Sequence, residues 1–404
     1  MTQVIDSRRY DIDWLRTLAF GLLILYHVGM YYVADWDWHI KSAEQSVWLQ
    51  DLMILTNQWR MSLLFFISGM ALALVSGKFG AWQLTKIRSQ RLLVPLIFGM
   101  LVIVPPQLYF ELLGNQQFSG SYLAFMQEYL NLDTSVAPHK QSAIGLLTWN
   151  HLWFLPYLWC YSLLTLLLYP LLKKLLHLPS VQKLPLWFGF MLLVVALVCI
   201  GLWLQNYPST HALTDDWFLH GLYFTVFISG MSLPNLPQLW QQIIAKRRWF
   251  AILALLGYCW LVLDRHGMLD IGDELDGLLV IKFIHAMLLS INHWAWIFAL
   301  LGYAGRYLQF NNAFLRYANQ AILPWYVLHQ TLIILFAVSL KNLDIPAPIE
   351  APILILLTSL GCLLGYELAR RSKLSRWLFG LKLISNEVVI KKLVRQKLSS
   401  PSLL

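Results

Sequence analysis

Charged residues are scarce in this sequence. Asp, Glu, Lys and Arg make up 13% of the 404 residues, whereas 58% are hydrophobic and the mean hydropathy is +0.58. Soluble domains are about one quarter charged. The shortage therefore excludes a disordered chain and an ordinary soluble enzyme, and it indicates a polytopic membrane protein. The aromatic content of 14% agrees with that class, because Trp and Tyr concentrate at bilayer interfaces.

Cysteine is scarce as well. The four cysteines all lie in apolar runs: Cys160, Cys199, Cys259 and Cys362. No C-x-x-C pair occurs, and the histidines are too scattered for the ligand spacing of a metal site. We therefore predict buried, unpaired thiols and no metal cofactor.

Long apolar runs, by contrast, are abundant. A membrane-spanning helix needs about 20 mostly apolar residues. Ten segments are candidates: 12–33, 54–76, 92–112, 152–172, 185–205, 217–233, 249–264, 279–302, 320–340 and 351–369. We predict an all-α polytopic integral membrane protein with about ten transmembrane helices. Residues 1–380 form its transmembrane domain, and 381–404 form a basic cytoplasmic tail.

Basic residues are distributed unevenly between the predicted loops. If the N-terminus is inside and the segments alternate, 24 of the 30 Lys and Arg residues fall on the inner side and 6 on the outer side. Cytoplasmic loops carry such an excess, so both termini are predicted to be cytoplasmic. The net charge of +9 is then explained by the basic residues on the inner side, including a basic tail that we expect to contact anionic lipids. It does not indicate a nucleic-acid partner.

The first predicted helix carries ionisable side chains at helical spacing. Such groups cost about 2.5–3.5 kcal/mol within a bilayer, so they are functional candidates. Arg16 and His27 are eleven residues apart, which places them on one face, about 16.5 Å apart along the axis. Asp13 can pair with Arg16 three residues later. We predict that this stripe joins a charged pair at the inner boundary to an imidazole near mid-membrane, and that both line one tunnel.

A second set of cations precedes predicted helix three. Lys86, Arg88 and Arg91 lie within six residues at the predicted cytoplasmic mouth. Guanidinium groups suit bidentate recognition of phosphate, so an anionic ligand is one interpretation. The general excess of basic residues on the inner side is the other.

A third set lies on the predicted outer side. Four residues have tryptophan neighbours: Arg60, His151, His293 and His329, near Trp59, Trp149, Trp153 and Trp294. Aromatic rings beside hydrogen-bonding groups can hold a sugar, although an interfacial tryptophan belt is the alternative. His329 follows Pro324 inside predicted helix nine, and Pro105–Pro106 interrupts helix three. Irregular backbone at this depth requires protein or a water-filled cavity against it.

One string of five residues occurs twice, at Phe66–Met70 and at Phe227–Met231. The duplication is compatible with an internal parallel repeat. Close helix packing at the Ser-Gly pair is the interpretation we favour, because small residues let helices approach each other.

Five short motifs follow one another along the chain: Asp11–Arg16 with His27, Phe65–Gly69, Arg88–Arg91, His151–Leu155 and Tyr326–Gln330. Their order, and the Arg-x10-His spacing of the first, resemble the membrane-bound acyltransferase-3 family. The stretch Trp38–Glu44 is similar to the branch that contains the succinyltransferase of osmoregulated periplasmic glucans. The resemblance covers nearly the whole chain and implies ten helices in the inner membrane of the cell.

The resemblance also implies a reaction. An acetyl or succinyl group would leave a cytoplasmic acyl-CoA, cross within the protein and join a hydroxyl of an extracytoplasmic glycan. His27 would be the catalytic histidine, supported by Arg16 and its partner Asp13. The CoA phosphates would meet Arg88 and Arg91, with Lys86 beside them. Four residues are assigned to substrate binding: Arg60, His151, His329 and Trp153.

Several alternatives stay open at this point. A transporter of a small anion or glycan would also place Arg and His within the membrane, and a structural or sensor protein would have no cavity between Arg88 and His27. Direct transfer and a covalent acyl-histidine both fit the residues, and we prefer direct transfer. The oxyanion donor could be Arg60 or a backbone N–H, and Arg60 or Lys282 could meet a succinyl carboxylate.

Overall fold

The computed structural model describes residues 8–142, 144–204, 206–269 and 279–382. Within these ranges the chain forms helices joined by loops, with no β-strand, which confirms the all-α prediction. The helices are α1 Tyr10–Tyr32, α2 Trp48–Asn57, α3 Arg60–Ser76, α4 Ala81–Phe98, α5 Pro105–Gly114, α6 Tyr122–Leu130, α7 Phe154–Leu176, α8 Pro179–Gln182, α9 Leu186–Leu204, α10 Trp217–Ser232, α11 Pro237–Arg265, α12 Leu279–Tyr307, α13 Ala313–Leu340, α14 Ala347–Ala369 and α15 Lys373–Leu378. The predicted basic tail lies outside the described residues, apart from 381 and 382.

Eight of the ten predicted spans coincide with helical segments that are long and apolar enough to cross a membrane. The other two are helical but fall short of that standard. Helix α10 has only 16 residues, and α11 carries Lys246, Arg247 and Arg248 in its first half. Both pack within the bundle, α10 against α3 and α11 against α12. The chain is therefore a multi-pass membrane protein, and the count of ten spans stays a prediction.

Loops that were predicted to share a side of the membrane contact each other. On the predicted inner side, Trp14 Nε1 donates to the carbonyl of Phe310 over 3.0 Å. On the predicted outer side, Arg265 forms ion pairs with Asp35 at 2.7 Å and with Asp51 at 2.6 Å. These contacts agree with the predicted alternation of the helices. Which side faces the cytoplasm remains a prediction from the charge distribution.

Helix α1 lies at the centre of the arrangement that positions the site. It contacts α3, α12, α13 and α14, and ten of its residues are buried. The long outer loop between α5 and α7 contains α6, which the spacing of its apolar residues predicts. Phe125 and Tyr129 of α6 are buried against the end of α5.

The break before Pro105 is a π-helical turn at Gly99–Ile103 that joins α4 to α5. In π-helical register the missing N–H of Pro105 leaves the Met100 carbonyl without an intrahelical donor. Tyr129 Oη donates to that carbonyl over 2.8 Å, and Thr331 Oγ1 donates to the carbonyl of Ile103 over 2.7 Å. Side chains of neighbouring segments thus satisfy the irregular backbone, as burial in a bilayer requires.

The two copies of the repeated string pack against each other where α3 crosses α10. A Cβ added at Gly69 would overlap with the backbone oxygen of Phe227, and a Cβ added at Gly230 would overlap with that of Phe66. The backbones are in direct contact at both glycines. This favours the close-packing interpretation of the string, since only glycine permits such an approach.

Replacing Gly230 by alanine is expected to destabilise the protein by about 1–3 kcal/mol, because the new methyl group must push two helix backbones apart. The unfolding midpoint in detergent, followed by fluorescence during heating, measures the effect. Gly201→Ala is the matched control, because a Cβ there meets nothing within 4 Å. If both variants unfold at the same temperature, the close packing of α3 against α10 does not contribute to the stability of the protein in the way described.

Candidate active site

A polar cavity of about 510 Å³ opens among the loops on the predicted outer side. Its walls come from α1, α3, α13 and the loops before α2, α7 and α10. The lining residues are Leu23, Tyr26, His27, Trp38, His39, Asn57, Arg60, Met61, Thr148, Trp149, Asn150, His151, Trp153, Thr210, His211, Tyr223, Tyr326 and Gln330. None of them is acidic. Of the predicted site residues, it brings together His27, Arg60, His151 and Trp153.

His27 forms a pair with His329, which lies on the facing side of α13. His27 Nδ1 is 3.1 Å from His329 Nε2 and 2.9 Å from the carbonyl of Leu23. His329 Nδ1 is 2.8 Å from the carbonyl of Tyr326, so it carries the proton and its Nε2 accepts. Both partners of His27 Nδ1 are then acceptors, which assigns the proton of a neutral His27 to Nδ1. Its Nε2 lone pair has no partner among the described residues and is available as a base.

His151 supports this pair without being a free base itself. Its Nδ1 accepts from Gln107 Nε2 over 3.2 Å, and its Nε2 donates to the carbonyl of Val327 over 3.2 Å. Tyr326 Oη donates to the backbone carbonyl of His151 over 2.6 Å. Both ring nitrogens are thus engaged, Nδ1 with Gln107 of α5 and Nε2 with the segment of α13 that carries His329.

A buried polar network extends outward from Gln107. Gln330 Nε2 donates to Gln107 Oε1 over 3.0 Å and also contacts His39 Nε2 at 3.0 Å. His39 Nδ1 is 2.5 Å from Glu111, whose other oxygen pairs with Lys140. Sequence reasoning missed this network. The available signal was a pair of polar residues four positions apart, Gln107 and Glu111, inside a predicted span.

Arg60 is the principal charge of the outer cavity. Its side chain begins α3 and is only 7% exposed, yet Nε and Nη1 have no hydrogen-bond partner among the residues that the structure describes. The guanidinium carbon lies 3.3 Å from the centre of the Tyr26 ring. Its charge acts on both His27 and His329. A buried cation without an anionic partner is costly, so the site is suited to receive negative charge.

One wall of the cavity is aromatic. Trp153 packs on His211 with ring centres 4.3 Å apart, and on Tyr223 at 5.5 Å. Trp149 Nε1 donates to the carbonyl of His211 over 2.8 Å, which fixes the loop before α10. Burial lowers the pKa of His211, with Asp216 opposing the shift, so this ring is neutral at pH 7. Flat rings with polar edges of this kind suit the faces of a sugar.

The stretch Trp38–Glu44 forms the loop that closes the cavity beside α1. Lys41 Nζ donates to the carbonyls of Met30 and Trp36, each over 2.9 Å, and to that of Val33. It thereby satisfies the C-terminal end of α1, where a cation is favourable. The loop is fixed by these bonds, and its Trp38 and His39 line the cavity.

Arg16 and Asp13 lie at the opposite end of α1 from His27. Arg16 Nη2 pairs with Asp13 at 3.0 Å and donates to Asn319 Oδ1 of α13 over 2.5 Å, while Arg8 shares Asp13 at 2.7 Å. The predicted pairing is present, and Arg16 and His27 both contact α13, as their spacing predicts. By helix rise, however, His27 is only about 7.5 Å from the outer end of α1, not near its middle. Arg16 and Asp13 therefore do not touch the histidine pair.

Arg88 and Arg91 of α4 approach this inner end. Their charges interact with each other and with Arg16. Neither has an ion pair within the described part of the chain. Lys86, by contrast, precedes Arg88 by two residues and lies about 200° around α4 from it, so it does not share that face. The inner cluster, defined here as Arg16, Arg88 and Arg91, is partly balanced by Asp13 alone.

A second cavity, of about 340 Å³, lies between α1, α13 and α14. We call it the inner cavity. Its lining is almost entirely apolar, and it includes His329 but not His27. Leu23 and Tyr326 line both cavities. Arg16 lines neither cavity and His27 lines only the outer one, so neither cavity is the predicted tunnel shared by Arg16 and His27.

Two residues named from the sequence lie elsewhere. His293 is buried on α12, and its Nε2 has no partner among the described residues, but it does not line the outer cavity. Lys282 lines a separate cavity between α9 and α12. His293 was assigned to the site because of its tryptophan neighbour, and Lys282 because of its charge. Both assignments are wrong, because the positions of these side chains depend on how α12 packs. Across the described ranges, no group of three His, Cys, Asp or Glu side chains is arranged to hold a metal ion.

The sequence matches a family model over most of its length and curated proteins over half of it. The model of the acyltransferase-3 family, described as an acyltransferase domain, matches residues 9–367. Among curated proteins, Glucans biosynthesis protein C of Escherichia coli K12 is 24% identical over 203 residues, which is 50% of this chain and 49% of the relative. The same protein of E. coli O6:K15:H31 matches to the same extent. The chain thus aligns with about half the length of these relatives, and no solved structure matches it.

Proposed function

This chain belongs to the acyltransferase-3 family and is an acyltransferase, and we propose that it acylates a glycan across the inner membrane of the cell. The donor is cytoplasmic acyl-CoA, and the acceptor is a hydroxyl of an extracytoplasmic glucan or other polysaccharide. The single observation that carries the proposal is the free Nε2 of His27 in an outer cavity that is also lined by Arg60, a buried guanidinium without an acidic partner in that lining. A base and an anion-stabilising cation are what ester formation needs.

The chemistry begins at the acceptor hydroxyl. His27 Nε2 removes its proton as the hydroxyl oxygen attacks the thioester carbonyl carbon. His329 Nε2 and the Leu23 carbonyl stabilise the resulting imidazolium, because both accept from Nδ1–H. When the C–S bond breaks, the imidazolium returns the proton to the thiolate of CoA. Direct transfer requires only this one base, which is why we prefer it to an acyl-histidine intermediate.

Negative charge develops on the former carbonyl oxygen in the tetrahedral intermediate. Arg60 lines the outer cavity and carries a buried positive charge with no acidic side chain in that lining, so we assign it to stabilise this negative charge. Arg60 also begins α3, whose positive helix end adds to the favourable potential. For a succinyl donor, the second carboxylate would compete for the same guanidinium. Acetyl and succinyl are the two acyl groups we propose.

The donor and the acceptor would approach from opposite sides. Within the inner cluster, Arg88 and Arg91 have no ion pair among the described residues and would offer their guanidinium groups to the phosphates of CoA, as Arg forks favour. The aromatic wall of Trp153, Tyr223 and His211 suits the faces of a sugar.

Purified protein in proteoliposomes tests this function. Acetyl-CoA or succinyl-CoA is supplied on one side and a neutral glucan oligosaccharide on the other. We expect free CoA thiol on the donor side and an ester-linked acyl group on the sugar, detected by mass spectrometry. If folded protein produces neither product with either donor, the proposed donor class is wrong. Release of CoA thiol without a sugar ester would support acyl-CoA as the donor and exclude the glucan as the acceptor.

The double variant Arg88→Ala, Arg91→Ala is expected to weaken CoA binding by about tenfold or more, because charge-assisted hydrogen bonds contribute about 1.5–3 kcal/mol each. The rate at saturating donor should change much less. Lys173→Ala, Lys174→Ala is the matched control, since it removes two exposed charges from another predicted inner segment. Equal CoA affinities in the two double variants would mean that Arg88 and Arg91 contribute to membrane topology and do not bind CoA.

A further inference from the structure

The loop that precedes α10 contributes Thr210 and His211 to the lining of the outer cavity. We call residues 206–216 the α10 loop. Its His211 ring packs on Trp153 in the aromatic wall, with ring centres 4.3 Å apart. No helix holds His211 in place, since the α10 loop consists of turns and bends. The position of this ring against the cavity therefore depends on whatever fixes the backbone of the loop.

The backbone of the α10 loop is strained. His211, Leu213 and Asp215 have φ angles of 57°, 68° and 59°, in the left-handed region that non-glycine residues seldom adopt. Such conformations cost free energy and persist only where neighbouring groups enforce them, typically at active or ligand-binding sites. Three of them within five residues require an anchor close to the loop.

Asp216 is that anchor. It is fully buried, and its carboxylate accepts from the backbone N–H of Thr210 over 3.1 Å and from that of His211 over 3.2 Å. Tyr157 Oη of α7 donates to the same carboxylate and accepts from the N–H of Leu213 over 3.0 Å. The carboxylate thus holds the loop on both sides of the cavity-lining residues, directly at one point and through Tyr157 at the other.

Asp216 forgoes another use of its side chain to hold this loop. It occupies the N-cap position of α10, where an aspartate ordinarily accepts from the first N–H groups of its own helix, but it makes no such bond. It also has no cationic partner in the part of the chain that the structure describes. A buried carboxylate is costly unless it is hydrogen-bonded, so the loop N–H groups and the carboxylate stabilise each other.

A second layer of side chains supports the anchor from behind. His220 stacks on Tyr157 with ring centres 5.0 Å apart, and its Nε2 donates to the carbonyl of Leu213 over 2.9 Å. That bond assigns the proton to Nε2, so Nδ1 accepts from Tyr161 Oη over 3.0 Å. Tyr157 in turn packs edge-on against Trp153 at 5.3 Å. The same buried network therefore supports both the loop and the aromatic wall.

We propose that Asp216 is a positioning residue for the acceptor: it holds the strained α10 loop so that His211 and Trp153 present one preformed surface to the sugar. This inference rests on the proposed function and concerns its acceptor side only. Asp216 does not line the outer cavity, so it acts through His211. A surface that is ordered beforehand binds its ligand more tightly, because less conformational entropy is lost on binding.

Two variants test the assignment. Asp216→Asn keeps the size of the side chain, but it replaces one acceptor oxygen by an NH₂ group that meets only donors. Tyr157→Phe removes the hydroxyl and leaves a ring that can still pack on Trp153, so it serves if Asp216→Asn fails to fold. Asp133→Asn is the matched control, because Asp133 is an exposed aspartate in the outer loop between α5 and α7.

Hydrogen–deuterium exchange of the purified protein reports on the anchor without any substrate. In Asp216→Asn we expect the amides of Thr210 and His211 to exchange about tenfold faster or more, because they lose hydrogen bonds to an ionised acceptor. In Tyr157→Phe the largest increase should fall on Leu213, whose N–H loses its acceptor. Asp133→Asn should leave the exchange of the α10 loop unchanged.

Steady-state transfer to the glucan oligosaccharide reports on the acceptor. We expect KM for the acceptor to rise by about two- to tenfold in Asp216→Asn and Tyr157→Phe, the affinity that is lost when a binding side chain must be ordered by its ligand. The rate at saturating acceptor and the CoA affinity should change little, because the hydrogen bonds of His27 come from α1 and α13. A purely structural role would instead lower the amount of active protein and leave KM unchanged.

The outcomes separate the two proposals. Unchanged exchange of the α10 loop in both variants would overturn Asp216 as the anchor. Faster exchange with an unchanged acceptor KM would show that the acceptor does not use the anchored loop, and it would overturn the positioning role. Absence of transfer by the unmodified protein would overturn the proposed function and the acceptor role with it, whereas the exchange rates would still decide whether Asp216 anchors the loop.

Discussion

Replacing His27 by alanine is expected to reduce acyl transfer by about 10²–10⁴-fold at saturating donor and acceptor, the range for loss of a positioned general base. The acceptor is an alcohol, which is a poor nucleophile while protonated. Of the other imidazoles that line the outer cavity, His151 and His39 use both ring nitrogens in contacts with protein groups, and His211 packs on Trp153 in the aromatic wall that is proposed to hold the sugar. Steady-state release of CoA thiol in the presence of acceptor measures the loss.

CoA affinity and the unfolding midpoint should be nearly unchanged in His27→Ala, because the donor nucleotide is proposed to bind about 16.5 Å away at the inner cluster. His285→Ala is the matched control, since it removes an exposed histidine on α12 that faces the separate cavity. Retained transfer in His27→Ala would remove this residue from the mechanism, whatever the role of the rest of the site.

Arg60→Met is expected to reduce transfer by about 10²–10³-fold, the effect of removing one donor to a developing oxyanion. Methionine preserves much of the buried aliphatic volume and removes the charge. The loss should appear in the rate at saturating substrate and not in CoA affinity, because the charge arises only in the transition state. Single-turnover measurement of ester formation, with acetyl-CoA as donor, isolates this step.

Arg60→Lys keeps the charge but not the two N–H groups of the fork, so it should recover only part of the rate. Arg306→Met is the matched control, because Arg306 is exposed and lies on the predicted inner side. If the Arg60→Met variant is destabilised enough to explain its whole loss of acyl transfer, the role of Arg60 is structural. A loss confined to succinyl-CoA, with acetyl-CoA unaffected, would assign Arg60 to the acyl carboxylate and not to the oxyanion.

The sequence allowed the residues of the site to be named but not their arrangement. Spacing on one helix placed Arg16 and His27 on the same face, and both contact α13 in the structure. The partner of each side chain could not be predicted, because Asn319 and His329 are about 300 residues away. The network from Gln107 to Lys140 was missed for the same reason: its members come from four separate segments and resemble ordinary polar residues until the helices pack.

The amino-acid sequence alone determined that the chain is helical and crosses a membrane repeatedly, because these properties follow from apolar run lengths and local charge counts. It also determined the shared face of Arg16 and His27, which depends only on helix geometry. Tertiary structure decided that His27 Nε2 has no protein partner among the described residues, that Arg60 is buried without an acidic partner there, and that His27 and His329 line different cavities. These features are contacts or vacant spaces between segments distant in sequence, so they exist only once the helices have packed.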